Sequence, residues 1–520
     1  MAFTYIVTMN NRTYNILFHT HTVSGIVISV VLYVIFFAGS FSFFRDEIVN
    51  WERNQTVEIT DDIHLNLDLA IDSLQQTTPM YGRDIEIRKY FVEQRLGVSI
   101  SPSKDSLAPE TAKTSSFFYL DTKNFSQHSY TDSYTLGEFL YRLHFLAQIR
   151  YPIGYYLSGF VALFFLFAIV TGVLVHWKKI VANFYVFRPF EKLKTMWTDA
   201  HTTLGMLGLP FQFVYAVTGA FFMIKVLLVA PNVMVIYDGD QAKFYEELGY
   251  SHPEFESSTT RLETPILLNS FVADTKKLWN DFKVTEVHIS NYGDENMHVL
   301  IGGHLAYNDR FNGVGEIIYK VKTGEVVSMK NPMTNTSYLD GVKNVLYRIH
   351  YGDYGGYALR IVSFLLGLIT CFVIISGVMI WLVARNKKHV SEKKRRFNAW
   401  VVNVYVAICL SMFPITALSF IAVKIVQPTG PSFIYSFYFI GWLVLSLVFI
   451  RKQNSNFTNK CSLLLGSVFG LFVPVSNGIM TGNWFWKSFS EGNTQLFFVD
   501  VFWIFLAVIG FIIFFKLKKK

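Results

Sequence analysis

Charged residues are scarce in this chain of 520 residues. They make up 16% of it, whereas hydrophobic residues make up 52%. Soluble globular domains carry about a quarter of charged residues, so this composition excludes an ordinary soluble protein. The sequence therefore indicates a protein that lives in a membrane.

Cysteine is also rare, and nucleotide-binding motifs are absent. The three cysteines are Cys371, Cys409 and Cys461, and the first two fall in apolar segments. This placement argues against a disulfide framework outside the membrane and against thiol-based redox chemistry. No GxGxxG follows a strand pattern and no P-loop occurs, so the sequence predicts neither an NAD(P)H site nor a flavin site.

Long apolar runs are what the chain does contain. A helix needs about 20 apolar residues to cross a bilayer. Eight segments meet this requirement: 22–44, 153–177, 203–230, 357–384, 398–423, 432–450, 462–480 and 496–515. The first is followed by FFRDEI and not by a small-residue cleavage site, so it is predicted to be a retained span.

Lysine and arginine gather on one side of these eight spans. They occur as Lys178, Lys179, Arg188, Lys192 and Lys194, in RNKKHVSEKKRR, as Arg451, Lys452 and Lys460, and in the tail KLKKK. The positive-inside rule places that side, with both termini, in the cytoplasm and the two long segments, about 45–152 and 231–356, outside. The net charge of +8 is thus a topology signal and predicts no nucleic-acid partner.

The first four spans form an internal duplication. His21 is followed by Gly25 and Gly39 at the offsets at which His201 is followed by Gly205 and Gly219. His144 precedes the second span as His350 precedes the fourth, and the tails TGVLVHWKK and SGVMIWLVAR match. The repeating unit is helix, external lobe, helix.

This duplication sets the predicted domains. They are a first repeat at 1–177 with an external lobe at about 45–140, a cytoplasmic loop at 178–200, a second repeat at 201–384 with a lobe at about 231–345, a basic linker at 385–397, and a C-terminal block of four spans at 398–520. In the second lobe, VTEVHIS and MHVLIGG flank the turn-rich NYGDEN, and EIIYKVKTGEVVSM contains a Thr-Gly turn. These patterns predict two antiparallel hairpins, and the first lobe reads as a small α+β domain.

Histidines carry the most specific chemical signal. An ionisable group in a span is costly unless it is paired or ligates something. Two imidazoles from facing helices can hold a haem iron axially. The expected ligands are His21 and His201 for a cytoplasmic-side haem b and His144 and His350 for an outer one, with His176 as an alternative or supporting ligand beside the first pair and His19 nearby.

A plainer interpretation stays open for these residues. An interfacial histidine is often just a hydrogen-bonded polar group, and glycine in a membrane helix usually serves helix packing. The other external histidines show no tight spacing and are assigned to surface or strand positions: His64, His128, His252, His288, His298 and His304.

Several segments together resemble the PepSY-associated transmembrane family. They are HTHTVSG, AHTTLGM, IHYGDYGG, SGVMIWL and KTGEVV, within about residues 10–395. The resemblance implies an inner-membrane protein with two periplasmic α+β PepSY-like lobes, and some members are haem-binding reductases of ferric siderophores. It implies ligand roles for His21, His144, His201 and His350.

The chain departs from the family pattern at two positions. His176 stands where the family tends to have an aromatic residue, and Val23 replaces a Trp that often follows the first histidine. The C-terminal block lies outside the pattern and reads as a packing, dimerisation or quinone-side module, so a homo-oligomer is left open.

The leading hypothesis is a polytopic helical protein of the bacterial cytoplasmic membrane, an oxidoreductase that moves electrons through two b-type haems. The donor would be a quinol or a cytoplasmic reductase, and the acceptor a ferric siderophore. One alternative is a PepSY-like binding module for a periplasmic protein or peptide. Another is a siderophore or metal transporter using Lys225, Lys424 and Asp500, although snorkelling toward the membrane surface explains those three more simply.

Overall fold

The computed structural model describes residues 10–177, 180–186, 188, 191–247, 252–306, 310–334 and 337–517. This part of the chain contains eight helices that are long and apolar enough to span a membrane, and one β-sheet. The spans are Asn11–Ser42, Ile153–His176, Leu209–Ile236, Asp353–Arg385, Glu392–Ile425, Pro431–Lys452, Ser455–Thr481 and Thr494–Lys516. The prediction of eight spans is therefore confirmed. Of the basic residues used for the topology, Lys178, Lys179 and the last three lysines lie outside the described residues.

The chain forms two compact units. The helical unit comprises the residues up to Asn54, Thr135–Val229 and the chain from Ile349 onward, and the sheet unit comprises Gln55–Tyr134 and Ala230–Arg348. The helices, in chain order, are Asn11–Ser42 (α1), Arg45–Arg53 (α2), Leu67–Gln75 (α3), Leu136–Leu143 (α4), Ile153–His176 (α5), Ile180–Tyr185 (α6), Leu193–Leu207 (α7), Leu209–Ile236 (α8), Gln241–Glu247 (α9), Leu268–Leu278 (α10), Tyr338–Tyr351 (α11), Gly356–Arg385 (α12), Glu392–Leu410 (α13), Met412–Ile425 (α14), Pro431–Lys452 (α15), Ser455–Thr481 (α16), Phe485–Ser490 (α17) and Thr494–Lys516 (α18).

Helix α1 lies at the centre of the first repeat and packs against α5 and α12. It begins at Asn11, well before the predicted start at residue 22. Asn10 caps it, because its side chain accepts a hydrogen bond from the Thr13 amide at 2.8 Å. His21 therefore lies in the third turn of a continuous helix and not just before its first residue.

The segment that carries His201 also differs from the prediction. The span was expected to run over residues 203–230, directly after His201, but the helix is interrupted at Gly208, between α7 and α8. Pro210 is the second residue of α8, where a missing amide hydrogen costs nothing because the first turn has no acceptor for it. His201 thus belongs to α7, and the span proper starts at Leu209.

Two charged residues of the C-terminal block are buried, and the snorkelling interpretation was wrong for both. Lys424 is 2% exposed and Asp500 is 0% exposed. The Asp500 carboxylate accepts hydrogen bonds from the Trp51 indole at 2.8 Å and from the Asn477 amide at 3.0 Å. Lys424 donates to the Trp51 carbonyl and lies over the indole ring. These contacts tie the C-terminal block to α2.

Within its described residues, the sheet unit contains eight strands in a single antiparallel sheet of order β4-β3-β2-β1-β5-β6-β7-β8. The strands are Ile85–Arg88 (β1), Arg95–Ile100 (β2), Ser116–Asp121 (β3), Gln127–His128 (β4), Lys283–Ser290 (β5), His298–His304 (β6), Val314–Lys320 (β7) and Val326–Lys330 (β8). The two predicted hairpins, β5 with β6 and β7 with β8, are confirmed. Both predicted α+β lobes are present, each with four strands.

The sequence did not predict that the two lobes join. Strand β1 pairs with β5, so that Ile85 lies opposite Ile289 and Ile87 opposite Val287. These four side chains are buried in one core with residues of α3 and α10. The alternating positions Glu86, Arg88, Glu286 and His288 consequently point to the other face.

A buried ion pair joins α12 to α2, and breaking it should destabilise the helical unit. Arg360 donates to both carboxylate oxygens of Glu47, at 2.8 and 2.5 Å, and the Glu47 side chain is 3% exposed. We expect Arg360→Met to lower the stability by about 3 kcal/mol or more, because it leaves a buried carboxylate without its partner. The apparent melting temperature of the purified protein in detergent measures this.

Arg396→Met is the matched control. Its ion pair with Glu392 is exposed, at 80% and 65% for the two side chains, and exposed pairs contribute little. Equal melting temperatures for the two variants would contradict the structural role of the Arg360 pair.

Candidate functional site: two histidine pairs

Four histidines meet in two pairs within the helical unit. The rings of His21 on α1 and His201 on α7 have centroids 6.2 Å apart and planes inclined by 72°. The rings of His144, at the end of α4, and His350, in the last turn of α11, have centroids 6.5 Å apart and planes inclined by 32°. The structure brings together the same two pairs that the duplication suggests.

The first pair is anchored in the same way on both sides. The Nδ1 atom of His21 lies 2.8 Å from the carbonyl oxygen of Ala168, and that of His201 lies 3.0 Å from the carbonyl oxygen of Val373. A carbonyl oxygen only accepts hydrogen bonds, so Nδ1 carries the proton in both rings. Ala168 on α5 and Val373 on α12 are equivalent positions of the two repeats, each four residues before a glycine.

The second pair also uses Nδ1, with different partners. His350 Nδ1 lies 2.7 Å from the Thr218 hydroxyl, which itself donates to the Val214 carbonyl at 2.7 Å. The hydroxyl proton is thus engaged, and the oxygen accepts from His350. His144 Nδ1 donates to the carbonyl of Tyr141. All four imidazoles therefore have the same tautomer.

Nε2 is the nitrogen that this tautomer leaves with a lone pair. Within the described residues, the side-chain hydrogen bonds of these four histidines all involve Nδ1. Histidines that bind metals commonly donate the other ring N–H to a carbonyl or similar acceptor, which fixes the ring and raises its basicity. Each pair therefore has two Nε2 atoms whose lone pairs can bind a metal.

The separation of the rings fits one metal atom between them. Two metal–nitrogen bonds of about 2 Å, with the radius of each ring added, place two imidazole centroids roughly 6 Å apart. The observed 6.2 and 6.5 Å agree with this. A bare zinc ion takes three or four protein ligands, whereas a planar macrocyclic complex such as haem can be held by two axial ligands alone.

Glycines let the rings of the first pair lie close to the neighbouring helices. A Cβ at Gly172 would lie 3.0 Å from His21 Cε1, and a Cβ at Gly377 would lie 3.2 Å from His201 Cε1. Sequence reasoning missed these contacts, although the matched tails TGVLVH and SGVMIW contain both glycines.

The four glycines of the duplicated sequence pattern have different neighbours. A Cβ at Gly39 would lie 3.7 Å from His144, whereas those at Gly205 and Gly219 would meet Val373 and Ala162. A Cβ at Gly25 would have no described atom within 4 Å. Only Gly39 of these four therefore touches a paired histidine.

The two pairs lie far apart along the bundle. His21 and Gly39, which contacts His144, are eighteen residues apart on α1, a rise of about 27 Å. Aromatic rings occupy the helices between them. Phe36 on α1 contacts Phe165 and Phe211, with ring centroids 5.3 and 6.4 Å away. The pairs are thus separated by roughly the thickness of a bilayer core.

His176 and His19 stand outside the pairs. His176 is the last residue of α5, one turn after Gly172. Among the described residues, one set of three metal-ligating side chains has its ligand atoms all within 4.8 Å of one another, and it does not include His176. His19 is exposed on α1. Neither forms with His21 and His201 a set whose ligand atoms all lie within 4.8 Å of one another.

That one set lies in the sheet unit and consists of Glu86, His252 and Glu286. Sequence reasoning missed it, because the three residues come from distant segments. The hydrogen bond to Glu286 raises the pKa of His252. Burial alone would raise the pKa of Glu286, but the hydrogen bond from His252 and the charge of Arg88 outweigh it and lower that pKa to about 2. Burial and the nearby His252 lower the pKa of His288 to about 4.

A known protein family matches most of the chain, including the first four membrane-spanning helices. The family described as PepSY-associated TM region matches residues 18–384, which include both histidine pairs and the sheet unit. None of the curated proteins compared with the chain is similar to it. The C-terminal block, from α13 onward, lies outside the match.

The close approach at Gly172 generates a steric prediction. We expect Gly172→Val to push the His21 ring aside and to cost about 1–3 kcal/mol of stability, as overpacking does in a filled interior. Gly25→Val is the control, because Gly25 lies on the neighbouring helix α1 and a Cβ there would have no described atom within 4 Å. The two apparent melting temperatures in detergent measure the difference, and a stability of Gly172→Val equal to that of Gly25→Val would refute the contact.

Proposed function

Because the chain belongs to the PepSY-associated TM family, we propose that this multi-pass membrane protein carries electrons across the bacterial cytoplasmic membrane on two b-type haems. The observation that carries the proposal is the pair of bis-imidazole arrangements, each with Nδ1 hydrogen-bonded and Nε2 left to bind. When bound, haem supplies reversible one-electron redox chemistry.

The histidines would hold the two groups through Nε2. His21 and His201 form one ligand pair and His144 and His350 the other. The acceptors at Nδ1, which are Ala168, Val373, Tyr141 and Thr218, keep each ring in one orientation and increase its electron donation to iron. His176, one turn from Gly172, is proposed as a supporting residue beside the first pair.

Aromatic side chains lie between the pairs and beside His350. Phe36 is 8% exposed, and its ring contacts join α1 to α5 and α8. At the second pair, Tyr215 and Phe222 each lie with ring centroids 5.0 Å from His350. Apolar groups around a metal site influence its solvent access and its redox potential.

The proposed direction of transfer rests on the predicted topology. In the topology that the basic loops predict, the His21 and His201 end faces the cytoplasm and the sheet unit lies outside. A quinol in the membrane, which releases two electrons and two protons as it becomes a quinone, or a cytoplasmic reductase would be the donor. A ferric siderophore outside would be the acceptor, and each ferric ion would take up one electron. The C-terminal block would serve packing, as its contacts with Trp51 suggest.

Ligand substitutions test the proposal directly. We expect the purified wild-type protein to give a b-type reduced-minus-oxidised difference spectrum. His201→Ala and His350→Ala should each retain about half of the haem, because each removes one axial ligand from a different pair. Haem per protein, determined by extraction, is the measurement.

His19→Ala is the matched control, since His19 is exposed two residues before His21 and should keep the full haem content. A colourless wild-type protein would contradict the proposal. So would a double variant, His201→Ala with His350→Ala, that retains its haem spectrum.

The hydroxyl behind His350 gives a finer prediction. Thr218→Val removes the acceptor of the His350 Nδ1–H, and loss of such a partner typically weakens metal binding about 10–100-fold. We expect one of the two haems to be lost or to change its midpoint potential, while the other stays as it is. Redox titration of the purified protein measures this.

Thr370→Val is the control for the loss of a helix hydroxyl. Like Thr218, Thr370 is 0% exposed; it donates to the Leu366 carbonyl on its own helix at 2.8 Å and makes no hydrogen bond to a histidine among the described residues. If both variants shifted the potentials alike, Thr218 would have no specific role at His350.

A further inference from the structure

We propose that the sheet unit holds a site for a divalent first-row transition-metal ion at the seam between β1 and β5, with Glu86, Glu286 and His252 as ligands and His288 as a fourth. The site lies in a different unit from the two histidine pairs. It does not depend on the function proposed for them.

The pairing of β1 with β5 creates the donor cluster. Glu86 lies opposite His288, and Arg88 lies opposite Glu286. These four side chains occupy the face of the sheet opposite the apolar core, because Ile85, Ile87, Val287 and Ile289 occupy the other. The two halves of the duplication thus contribute one carboxylate each.

A third segment closes the cluster. His252 Nε2 lies 2.7 Å from Glu286 Oε1, and the His252 and His288 ring centroids are 4.7 Å apart. Ligand atoms of Glu86, His252 and Glu286 all lie within 4.8 Å of one another. The three atoms are therefore close enough to share one ion.

His288 supplies an independent indication of a ligand. Its Nδ1 atom is buried and has no hydrogen-bond partner among the described residues. Buried polar atoms are nearly always paired, so an unpaired imidazole nitrogen next to two carboxylates and a second imidazole points to a bound species.

The donor chemistry selects the class of ion. Imidazole and carboxylate donors together suit zinc, iron, cobalt or manganese. Calcium prefers six to eight oxygen donors and Cu(I) prefers sulfur, so neither fits this set. Two carboxylates also balance the charge of a dication.

Arg88 now supplies the positive charge and would have to move. It forms ion pairs with Glu86 and Glu286, and its side chain is 36% exposed, so it can turn toward solvent. A network of ion pairs with no metal is the competing explanation of the same contacts. The two explanations predict opposite effects of removing Arg88.

Isothermal titration of the purified full-length protein with Zn²⁺ is the test. We expect saturable binding of one ion in the sheet unit. His252→Ala and Glu286→Gln should each weaken it at least about tenfold, since each removes a ligand. Arg88→Ala should tighten it, because the competing cation is gone.

Two controls and a second ligand variant make the outcome specific. His64→Ala removes an exposed histidine that also contacts two carboxylates, Glu58 and Asp62, and should leave the binding unchanged. His201→Ala should leave it unchanged as well, which separates this site from the membrane pairs. His288→Ala provides a second ligand variant should His252→Ala fold poorly.

The proposal is overturned if no saturable binding is found. It is equally overturned if His252→Ala and His288→Ala bind Zn²⁺ as the wild type does, or if Arg88→Ala binds it more weakly. Loss of binding in His201→Ala would assign the ion to the histidine pair and would also overturn it.

Discussion

An imidazole inside an apolar helix bundle needs a hydrogen-bond acceptor at one nitrogen and a partner at the other, and this need organises the helical unit. Helices α5 and α12 provide the acceptors for the first pair through the carbonyls of Ala168 and Val373. Gly172 and Gly377, one turn later on the same helices, have no side chain, so the rings can lie close to the helix backbone. Helix α1 bears His21 and contacts His144 through Gly39, so it links the two pairs.

The two repeats hold the histidines of the first pair by equivalent contacts and those of the second pair by different contacts. His21 and His201 have equivalent acceptors and equivalent glycines, whereas His350 bonds to a threonine hydroxyl of α8 and His144 to a carbonyl of its own helix. The ring planes also differ, inclined by 72° in one pair and by 32° in the other. Because hydrogen bonding to the ligand tunes a bound metal, the proposal that each pair holds a haem implies two haems of unequal potential.

Local patterns predicted the spans, the hairpins of the second lobe and the partners in each histidine pair, because hydropathy, turn residues and an internal repeat are all visible in sequence. What escaped prediction depends on tertiary contacts between distant segments. The pairing of β1 with β5 joins residues two hundred positions apart, and it alone brings Glu86 to Glu286. Likewise, the sequence predicted that Lys424 and Asp500 lie near the membrane surface, because it does not show their contacts with Trp51. Lys424 donates a hydrogen bond to the Trp51 carbonyl, and the Trp51 indole donates one to Asp500.

In the proposed function, the four paired histidines are the functional centre of the duplicated core, and the sheet unit has its own polar seam between β1 and β5. The stoichiometry of haem to polypeptide in the purified, full-length protein tests this claim most directly. Two haems per chain, both low-spin as bis-imidazole ligation requires, are the predicted result. A protein that contains no haem when expressed with sufficient haem supply would contradict the account.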